Sequence, residues 1–155
     1  MKPITEIEKS YIAGLVDGEG TIGIYPYKSP KNIYVYFFRP MIAISMTSER
    51  PILWCYNTTG LGSNRNQLSD YGQKKLYRWQ VGGELECISL IEAIKPYLLV
   101  KDEQANLLLE FFELKDEIRR TRNSRSMDDI EFRNIEYNKI RNRMRVLNGS
   151  GESVL

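Results

Sequence analysis

The stretch Ile12-Ala-Gly-Leu-Val-Asp-Gly-Glu-Gly20 decides how the first part of this chain folds. It is preceded by Thr5-Glu6-Ile7-Glu8, in which a threonine and a glutamate stand three residues apart. This spacing is typical of a capping box, with Thr5 as the N-cap. It predicts a helix from about Glu6 to Asp17, which ends at the glycines that follow.

The end of this helix carries the feature that suggests chemistry. Its last carbonyl groups are unpaired and lie at the negative end of the helix dipole, so the added carboxylate of Glu19 favours a hard divalent cation. An ordinary helix end with an exposed acid is the alternative, and it would be preferred for an isolated Gly-Glu-Gly. The full nonapeptide in this context favours the cation site.

Strand-like runs follow the helix in two consecutive pairs. The first pair covers Thr21–Tyr27 and Tyr34–Met46, with a hairpin connection at Lys28–Asn32. Ser48 can cap a second helix over about 49–57. The second pair covers about 62–69 and 75–81 and brackets another hairpin at 70–73. Strands in consecutive hairpins imply an antiparallel sheet with helices packed on one face.

The second half of the chain has helical spacing. Apolar residues recur from Leu85 to Ile94, the pattern halts at Pro96, and it resumes after Lys101 as far as Leu114. A polar break at 121–125 precedes one further amphipathic helix. The sequence therefore predicts an α+β fold with an αββαββα core at 1–121, a C-terminal helical extension at 122–148 and a flexible tail at 149–155.

Composition excludes several classes of enzyme. The 155 residues fit one domain and include no histidine and two cysteines, Cys55 and Cys87. The chain therefore cannot build a zinc finger, a Ser/His/Asp triad or a Cys/His pair, and any metal is best held by oxygen ligands. Buried reduced thiols are favoured over a disulfide. No apolar run is long enough to span a bilayer, so we expect a soluble, intracellular protein without a membrane partner.

Charge is concentrated in the predicted sheet. Residues 21–82 hold eight basic and two acidic residues, and also 11 of the 17 aromatic residues. Basic and aromatic residues in strand-like sequence are typical of a nucleic-acid surface. On this feature alone, aromatic residues that fill a sheet core beside solvated lysines are an equally good interpretation.

The nonapeptide Ile12–Gly20 resembles the LAGLIDADG signature of homing endonucleases. The αββαββα order, the segment Lys95–Lys101 and Gln104–Leu107 also resemble the single-motif members of that family, over roughly Ile4–Phe112. The resemblance implies a site-specific DNA endonuclease whose antiparallel sheet forms a DNA-binding saddle, with helices on the other face.

The resemblance also implies roles for individual residues. Glu19 takes the place of the metal-binding acid, and Gly18 supplies a backbone carbonyl ligand. Lys101 matches the lysine near the scissile phosphate, and Arg50 stands where a basic residue can order water. Asp17 is interpreted as structural. The polar residue before the second helix is Ser45, Met46 or Thr47, depending on the alignment.

One copy of the motif cannot place an acid at both strands, so we expect a homodimer that cuts a long pseudo-palindromic target. The small residues Ala13 and Gly14, with Gly18 one turn later, would let the two first helices approach closely. Mg²⁺ is the expected ion, Mn²⁺ a substitute, and Ca²⁺ is expected to support binding without cutting. The protein would act in the compartment that holds its target DNA.

Period-two alternation predicts which side chains face double-stranded DNA. If Ile22, Ile24, Tyr77, Trp79 and Val81 face the core, the opposite face carries Gly23, Tyr25, Tyr27, Arg65, Gln67, Arg78 and Gln80, to which we add Lys28. Two rival hypotheses are a non-cleaving relative, such as an intron-splicing RNA maturase or a DNA-binding regulator, and a plain dimerisation module.

Overall fold

The computed structural model describes residues 1–28, 36–68, 75–122 and 126–149, with Tyr36 and residues 66–68 described by their backbone alone. The elements follow one another as α1 (Glu6–Glu19), β1 (Gly20–Lys28), β2 (Tyr36–Met46), α2 (Glu49–Thr59), β3 (Ser63–Leu68), β4 (Lys75–Val81), α3 (Glu84–Ile94), a 3-10 turn (Lys95–Tyr97), α4 (Asp102–Thr121) and α5 (Met127–Leu147). This order confirms the predicted α+β class and its αββαββα core. The predicted hairpin connections, apart from Lys28, lie outside the described residues.

The four strands form one sheet in the order β1-β2-β4-β3. Strand β4 pairs antiparallel with both β2 and β3, so Trp79 lies opposite Ile44 on one side and Asn64 on the other. The predicted alternation is confirmed for four core positions, because Ile22, Trp79 and Val81 are fully buried and Ile24 is nearly so. Tyr77, which was expected on the same face, is half-buried.

Helix α1 begins at the predicted capping box. The hydroxyl of Thr5 accepts a hydrogen bond from the amide of Glu8 at 3.3 Å, and the Glu8 carboxylate accepts one from the amide of Thr5 at 2.7 Å. Two backbone donors at the start of the helix are thereby satisfied. The helix extends two residues beyond its predicted end at Asp17 and therefore includes Glu19.

The helix passes into β1 without a loop. Gly20 has extended backbone angles, φ −90° and ψ 166°, while its amide still donates to the carbonyl of Val16. A Cβ atom at Gly20 would lie 2.5 Å from the oxygen of Val16. Only glycine therefore allows the chain to leave the helix and enter the strand at the same residue.

Helix α2 differs from the prediction at its first turn. Ser48 occupies the N-cap position, but its side chain makes no capping hydrogen bond. A capping side chain accepts from the second or third helical amide, and the third helical residue is Pro51, which has no N–H. The far end of α2 is closed by Gly60, whose left-handed φ of 66° lets its amide donate to Tyr56.

The chain divides into two compact units, and each unit is built from two segments. Unit 1 consists of Met1–Ile22 and Met41–Asp102, and unit 2 of Gly23–Pro40 and Glu103–Leu155. The division into a core at 1–121 and a helical extension at 122–148 stays a prediction. Inside unit 2, the ring of Tyr137 in α5 contacts Phe111 of α4 at 4.9 Å and Phe38 of β2 at 5.3 Å, so the last helix shares a core with α4.

Both cysteines lie in the core of unit 1 as free thiols. Burial raises the pKa of the Cys55 thiol, and likewise that of Cys87, to about 12. The expectation of buried reduced thiols is therefore confirmed, and both are chemically inert.

The longest helices are α4 and α5, with 20 and 21 residues, and both carry many charged side chains. Across the described ranges, no helix combines the length and apolarity that a membrane crossing requires.

Candidate functional site at the C-terminus of the first helix

The C-terminal turn of α1 presents a carboxylate to solvent. Gly18 and Glu19 are both exposed, and nothing lies within 4 Å of the position that a Cβ at Gly18 would occupy. The Glu19 carboxylate and the backbone oxygen of Gly18 are oxygen donors of the kind that Mg²⁺ prefers. The donor set at this helix end therefore fits a hard divalent ion.

Asp17 ties the end of α1 to the segment between the 3-10 turn and α4. Its two carboxylate oxygens accept hydrogen bonds from the amide of Leu99 at 2.7 Å and the amide of Lys101 at 2.9 Å. Burial alone would raise the pKa of the Asp17 carboxyl, but the backbone amides of Leu99, Lys101 and Val100 outweigh this effect and lower the pKa. The interpretation of Asp17 as structural agrees with these contacts.

Lys101 is brought to the same helix end as Glu19. Its half-buried side chain turns back, and the ammonium donates to the backbone oxygen of Asp17 at 2.5 Å. A cation at a helix C-terminus is stabilised by the helix dipole. Lys101 is thereby held two residues from Glu19 along α1, although 82 positions separate the two residues in the sequence.

Arg50 lies in the first turn of α2, beside α1. It lines an open groove of about 460 Å³ together with Ile7, Glu8, Tyr11 and Trp54. Its role in ordering water at Glu19 stays a prediction.

The three alternatives for the additional polar residue are separated by the sheet register. Ser45 lies opposite Arg78, and Met46 lies opposite Tyr77, whereas Thr47 lies beyond the end of β2. Ser45 thus shares a face with Arg78, because residues directly opposite in adjacent strands project to the same side.

This face of the sheet carries two arginines in direct opposition. The register pairs Arg65 of β3 with Arg78 of β4, and Arg78 with Ser45 of β2. Arg65 is exposed, and Arg78 is half-buried with its Nη2 3.5 Å from the sulfur of Met41. Nε of Arg78 is buried and makes no hydrogen bond within the described residues.

Solved structures identify this architecture, whereas no family model and no curated protein matches the sequence. The homing endonuclease I-CvuI, in complex with the I-CreI target, superposes with a TM-score of 0.75 at 19% identity, covering 97% of this chain and 87% of its own. The archaeal intron-encoded homing endonuclease I-Vdi141I, complexed with DNA, gives 0.69 at 14% identity, with the same coverages of 97% and 87%. The LAGLIDADG homing endonuclease I-GzeII, in complex with its DNA target, gives 0.66 at 19% identity, over 89% of this chain and 45% of its own.

The chain has the LAGLIDADG homing endonuclease fold. Within this fold, α1 is the helix that carries the signature, and Glu19 stands at its end. Among the described residues, no three His, Cys, Asp or Glu side chains converge on a common point that could hold a metal. Glu19 is thus not part of a cluster of three or more such side chains within the described residues of one copy.

One face of α1 in this LAGLIDADG fold is left uncovered. Ile7, Tyr11, Gly14 and Gly18 lie within roughly 60° of one another around the helix, and all four are exposed. Ile7 is 81% exposed, and a Cβ at Gly14 would meet nothing within 4 Å. Ala13 was expected on this face, but it is fully buried. The physical reason is the 100° step between neighbouring helical residues, which turns Ala13 towards Val16 and the core while Gly14 faces outwards.

The other predicted DNA-binding residues fall into different environments. Tyr25 and Tyr27 are exposed, as expected, but Gly23 is buried, since a Cβ there would lie 2.7 Å from the ring of Tyr25. Gly23 therefore lies on the same side of β1 as Tyr25 but is covered by the ring of that residue. Lys28 is exposed at the end of β1. As an even-numbered residue it projects to the same side of the strand as the buried Ile22 and Ile24. Gln80 is half-buried, and the side chain of Gln67 lies outside the described residues.

An aromatic cluster in unit 2 was not predicted from the sequence. The rings of Tyr27 and Phe37 stack with centroids 5.3 Å apart and an interplanar angle of 27°. The guanidinium of Arg39 lies 5.2 Å from the centroid of Tyr27. Phe37, Arg39 and Ser45 are odd-numbered residues of β2 and project to the same side of the strand. The alternation rule that assigned Tyr25 and Tyr27 could therefore also have identified Phe37 and Arg39.

Replacing Asp17 with asparagine tests the link between this carboxylate and the segment 99–101. The Asp17→Asn side chain can turn only one oxygen towards the two amides, so we expect a loss of about 1–2 kcal/mol in the free energy of unfolding. Because the folded-state pKa of Asp17 is lowered, its contribution is present above its unfolded pKa and is lost as the pH falls through the folded pKa. Asp17→Asn should remove that part of the acid dependence, measured by urea unfolding between pH 7 and pH 3.

Asp116→Asn is the matched control. Asp116 contacts Arg119 at 3.0 Å in a pair whose two side chains are more than half exposed, and such pairs contribute little to stability. Equal losses in the two variants would contradict a specific role for Asp17.

Proposed function

We propose that this protein is a site-specific DNA endonuclease that cuts both strands of a long pseudo-palindromic target, acts as a homodimer and depends on Mg²⁺. The observation that carries the proposal is the convergence of Glu19 and Lys101 at the C-terminus of α1, fixed by Asp17. The fold neighbours I-CvuI and I-Vdi141I are homing endonucleases in complex with DNA, which supports the same class of substrate here.

In the proposed hydrolysis, the side chains mainly position the cation and the phosphate. Glu19 and the carbonyl of Gly18 would hold the cation against the scissile phosphate. Bound Mg²⁺, or Mn²⁺ in its place, supplies charge neutralisation and a more acidic water, whereas Ca²⁺ is expected to support binding without cutting. Lys101 would leave the carbonyl of Asp17 to donate to a phosphate oxygen as negative charge develops there. Solvent would accept the proton, since the chain contains no histidine.

The sheet face supports DNA as the ligand. Arg65 and Arg78 stand directly opposite each other, and like charges in this position destabilise a strand pair unless an anion lies between or above them. A phosphate or a guanine edge would accept hydrogen bonds from these guanidinium groups, and such an acceptor would also satisfy the buried Nε of Arg78. A hydrogen-bond acceptor such as a phosphate or a guanine edge would therefore stabilise this face of the sheet.

The uncovered face of α1 supports a homodimer. Exposed Ile7 and Tyr11 are apolar, and Gly14 and Gly18 leave room for a second helix backbone. At the end of the same face, Leu99 and Val100 are 90% and 68% exposed beside Asp17. A second copy packed here would cover the apolar residues and bring two Glu19 carboxylates to one place, one for each strand.

A non-cleaving RNA-binding protein is the second candidate function. The stacked Tyr27 and Phe37, with Arg39 over the Tyr27 ring, favour it because exposed aromatic and guanidinium planes suit unpaired bases. An intron-splicing maturase would bind structured RNA and leave DNA uncut, whereas the endonuclease would cut duplex DNA in Mg²⁺.

Glu19→Gln separates binding from cutting. The amide keeps the size of the side chain but removes the anionic ligand, so cutting in Mg²⁺ should fall at least about a hundredfold. DNA affinity in Ca²⁺ should change by less than about threefold, because the sheet is untouched. Substrates from a randomised library that the wild-type protein cuts would be used for both measurements.

Glu113→Gln, at an exposed position in α4, is the control for loss of one carboxylate. A Glu19→Gln protein that cuts both strands at the wild-type rate would refute the assignment of the active site. RNA binding without any DNA cutting by the wild-type protein would favour the maturase.

Gly14→Leu tests the homodimer. Nothing lies within 4 Å of a Cβ at Gly14, so the single chain should keep its fold, and leucine is the better helix former. In a dimer the added side chain would separate the two helices. We expect the wild-type protein to be dimeric at micromolar concentration by light scattering, and Gly14→Leu to be monomeric and unable to cut both strands.

Glu131→Leu adds the same side chain to an exposed position of α5 and should leave the dimer intact. A monomeric wild-type protein with full cleavage activity would exclude the symmetric arrangement.

The paired arginines make a separate prediction. If Arg78 contacts a guanine edge, Arg78→Met should weaken binding by about 1–3 kcal/mol and relax preference at one base in each half-site. If Arg65 contacts phosphate, Arg65→Met should weaken all sequences alike and reduce the slope of log affinity against log salt by about 1. Electrophoretic shifts at several salt concentrations would measure both.

Lys9→Met removes the same charge from an ion pair with Glu6 on α1 and serves as the control. Wild-type affinity and wild-type salt dependence in both arginine variants would show that DNA does not use this face.

A further inference from the structure

Unit 2 contains an open cavity that the proposed endonuclease chemistry does not use. Its volume is about 370 Å³, which lies within the range of sites for small organic ligands. All the residues around it belong to unit 2 and come from β1, β2, α4, α5 and Arg122, which directly follows α4. The cavity thus exists within one compact part of the chain.

The walls of this cavity combine aromatic rings with cations. Tyr27, Phe37, Phe38 and Tyr137 contribute rings, while Lys115, Arg119, Arg122 and Arg133 contribute positive charge. Asp129 is the one acidic residue in the lining, and it pairs with Arg122 at 3.1 Å. Arg119 likewise pairs with Asp116 at 3.0 Å. The four cations of the lining still outnumber these two acids, so the cavity favours an anionic ligand.

Arg133 provides a more specific sign of a missing acceptor. Its Nη2 is shielded from solvent and makes no hydrogen bond to any described part of the chain. Buried polar atoms in folded proteins nearly always have a partner, and an exception calls for an acceptor such as a bound ligand. A phosphate is the natural acceptor, because a guanidinium binds its oxygens through parallel charge-assisted hydrogen bonds.

The aromatic wall offers a second kind of contact. Tyr27 and Phe37 stack on each other, yet each remains more than a third exposed, at 44% and 40%. Flat, partly exposed rings beside a phosphate-binding group are suited to a nucleobase, which stacks on aromatic side chains irrespective of its identity. A simple inorganic anion would leave these rings uncovered.

We propose that this cavity binds a nucleotide, with its phosphate on Arg133 and its base against Phe37 and Tyr27. Lys115 and Arg119, the latter paired with Asp116, lie in the same lining and favour an anion over a cation or a neutral ligand. The same chemistry is presented by a free mononucleotide and by an unpaired nucleotide within a single strand. The inference goes beyond the endonuclease proposal, because it requires neither Glu19 nor a divalent ion.

The test is titration calorimetry on the full chain, without metal and at low salt. The probes are deoxyadenosine 5′-monophosphate, deoxyadenosine and inorganic phosphate. We expect the mononucleotide to bind at least tenfold more tightly than either of its two parts. Absence of saturable mononucleotide binding by the wild-type protein at millimolar concentration would overturn the proposal.

Two variants test the two contacts. Arg133→Met should weaken mononucleotide binding at least tenfold, and Arg133→Lys should recover part of it, since the ammonium keeps the charge but not the bidentate geometry. Phe37→Ala should reduce the affinity for the mononucleotide towards that for phosphate alone. Phe37 is exposed, so Phe37→Ala should have the circular dichroism spectrum of the folded protein. This variant still tests the proposal if Arg133→Met does not fold.

Arg145→Met, at an exposed position outside the cavity, is the matched control and should bind as the wild-type protein does. Wild-type affinity in both Arg133→Met and Phe37→Ala would overturn the proposal.

A short single-stranded oligodeoxynucleotide separates the two sources of the nucleotide. If the oligonucleotide displaces the mononucleotide, and the Arg133→Met substitution abolishes this displacement, the natural ligand is a nucleotide within a single strand. If both bind independently, the ligand is the free nucleotide. These measurements do not depend on cutting, so a failure here leaves the endonuclease proposal untouched.

Discussion

The direct passage of α1 into β1 is the constraint on which the candidate site depends. At Gly20 the backbone is already extended while its amide still closes the last helical turn on Val16, and the 2.5 Å approach excludes any side chain. No connecting loop separates Glu19 from the sheet, so the helix on one side and the strand on the other fix the position of its backbone. Asp17 then adds the segment of Leu99–Lys101 through two amides, which makes the helix end a rigid meeting point.

Much of this arrangement could be predicted because its signals are local. The Thr5 and Glu8 cap is readable over four residues, and the alternation in β1 and β4 placed Ile22 and Trp79 in the core correctly. Lys75–Val81 was delimited correctly because turn residues and glycines bound it on both sides. The order of elements follows from such punctuation, which is why the fold class was accessible without an alignment.

The rest could not be predicted because it depends on contacts between distant segments. The hydrogen bond from Leu99 to Asp17 uses a backbone amide, which leaves no trace in residue type. Ala13 was misplaced because smallness alone does not say which side of a helix faces the core, and Gly23 because the ring of Tyr25 folds over it. The surroundings of Arg50 depend on how α2 packs on α1, with Trp54 against Tyr11 at 5.0 Å, and such a contact cannot be deduced from the residue types of either helix alone.

The buried thiols have a consequence for how this protein exchanges protons with its surroundings. With no histidine in the chain and both cysteine pKa values raised to about 12, it contains no side chain whose ordinary pKa lies between about 5 and 8. A reaction profile that changes slope in that interval would therefore report the amino terminus, a side chain whose pKa the bound complex has shifted, the ligand or water, and not a histidine or a cysteine of this chain.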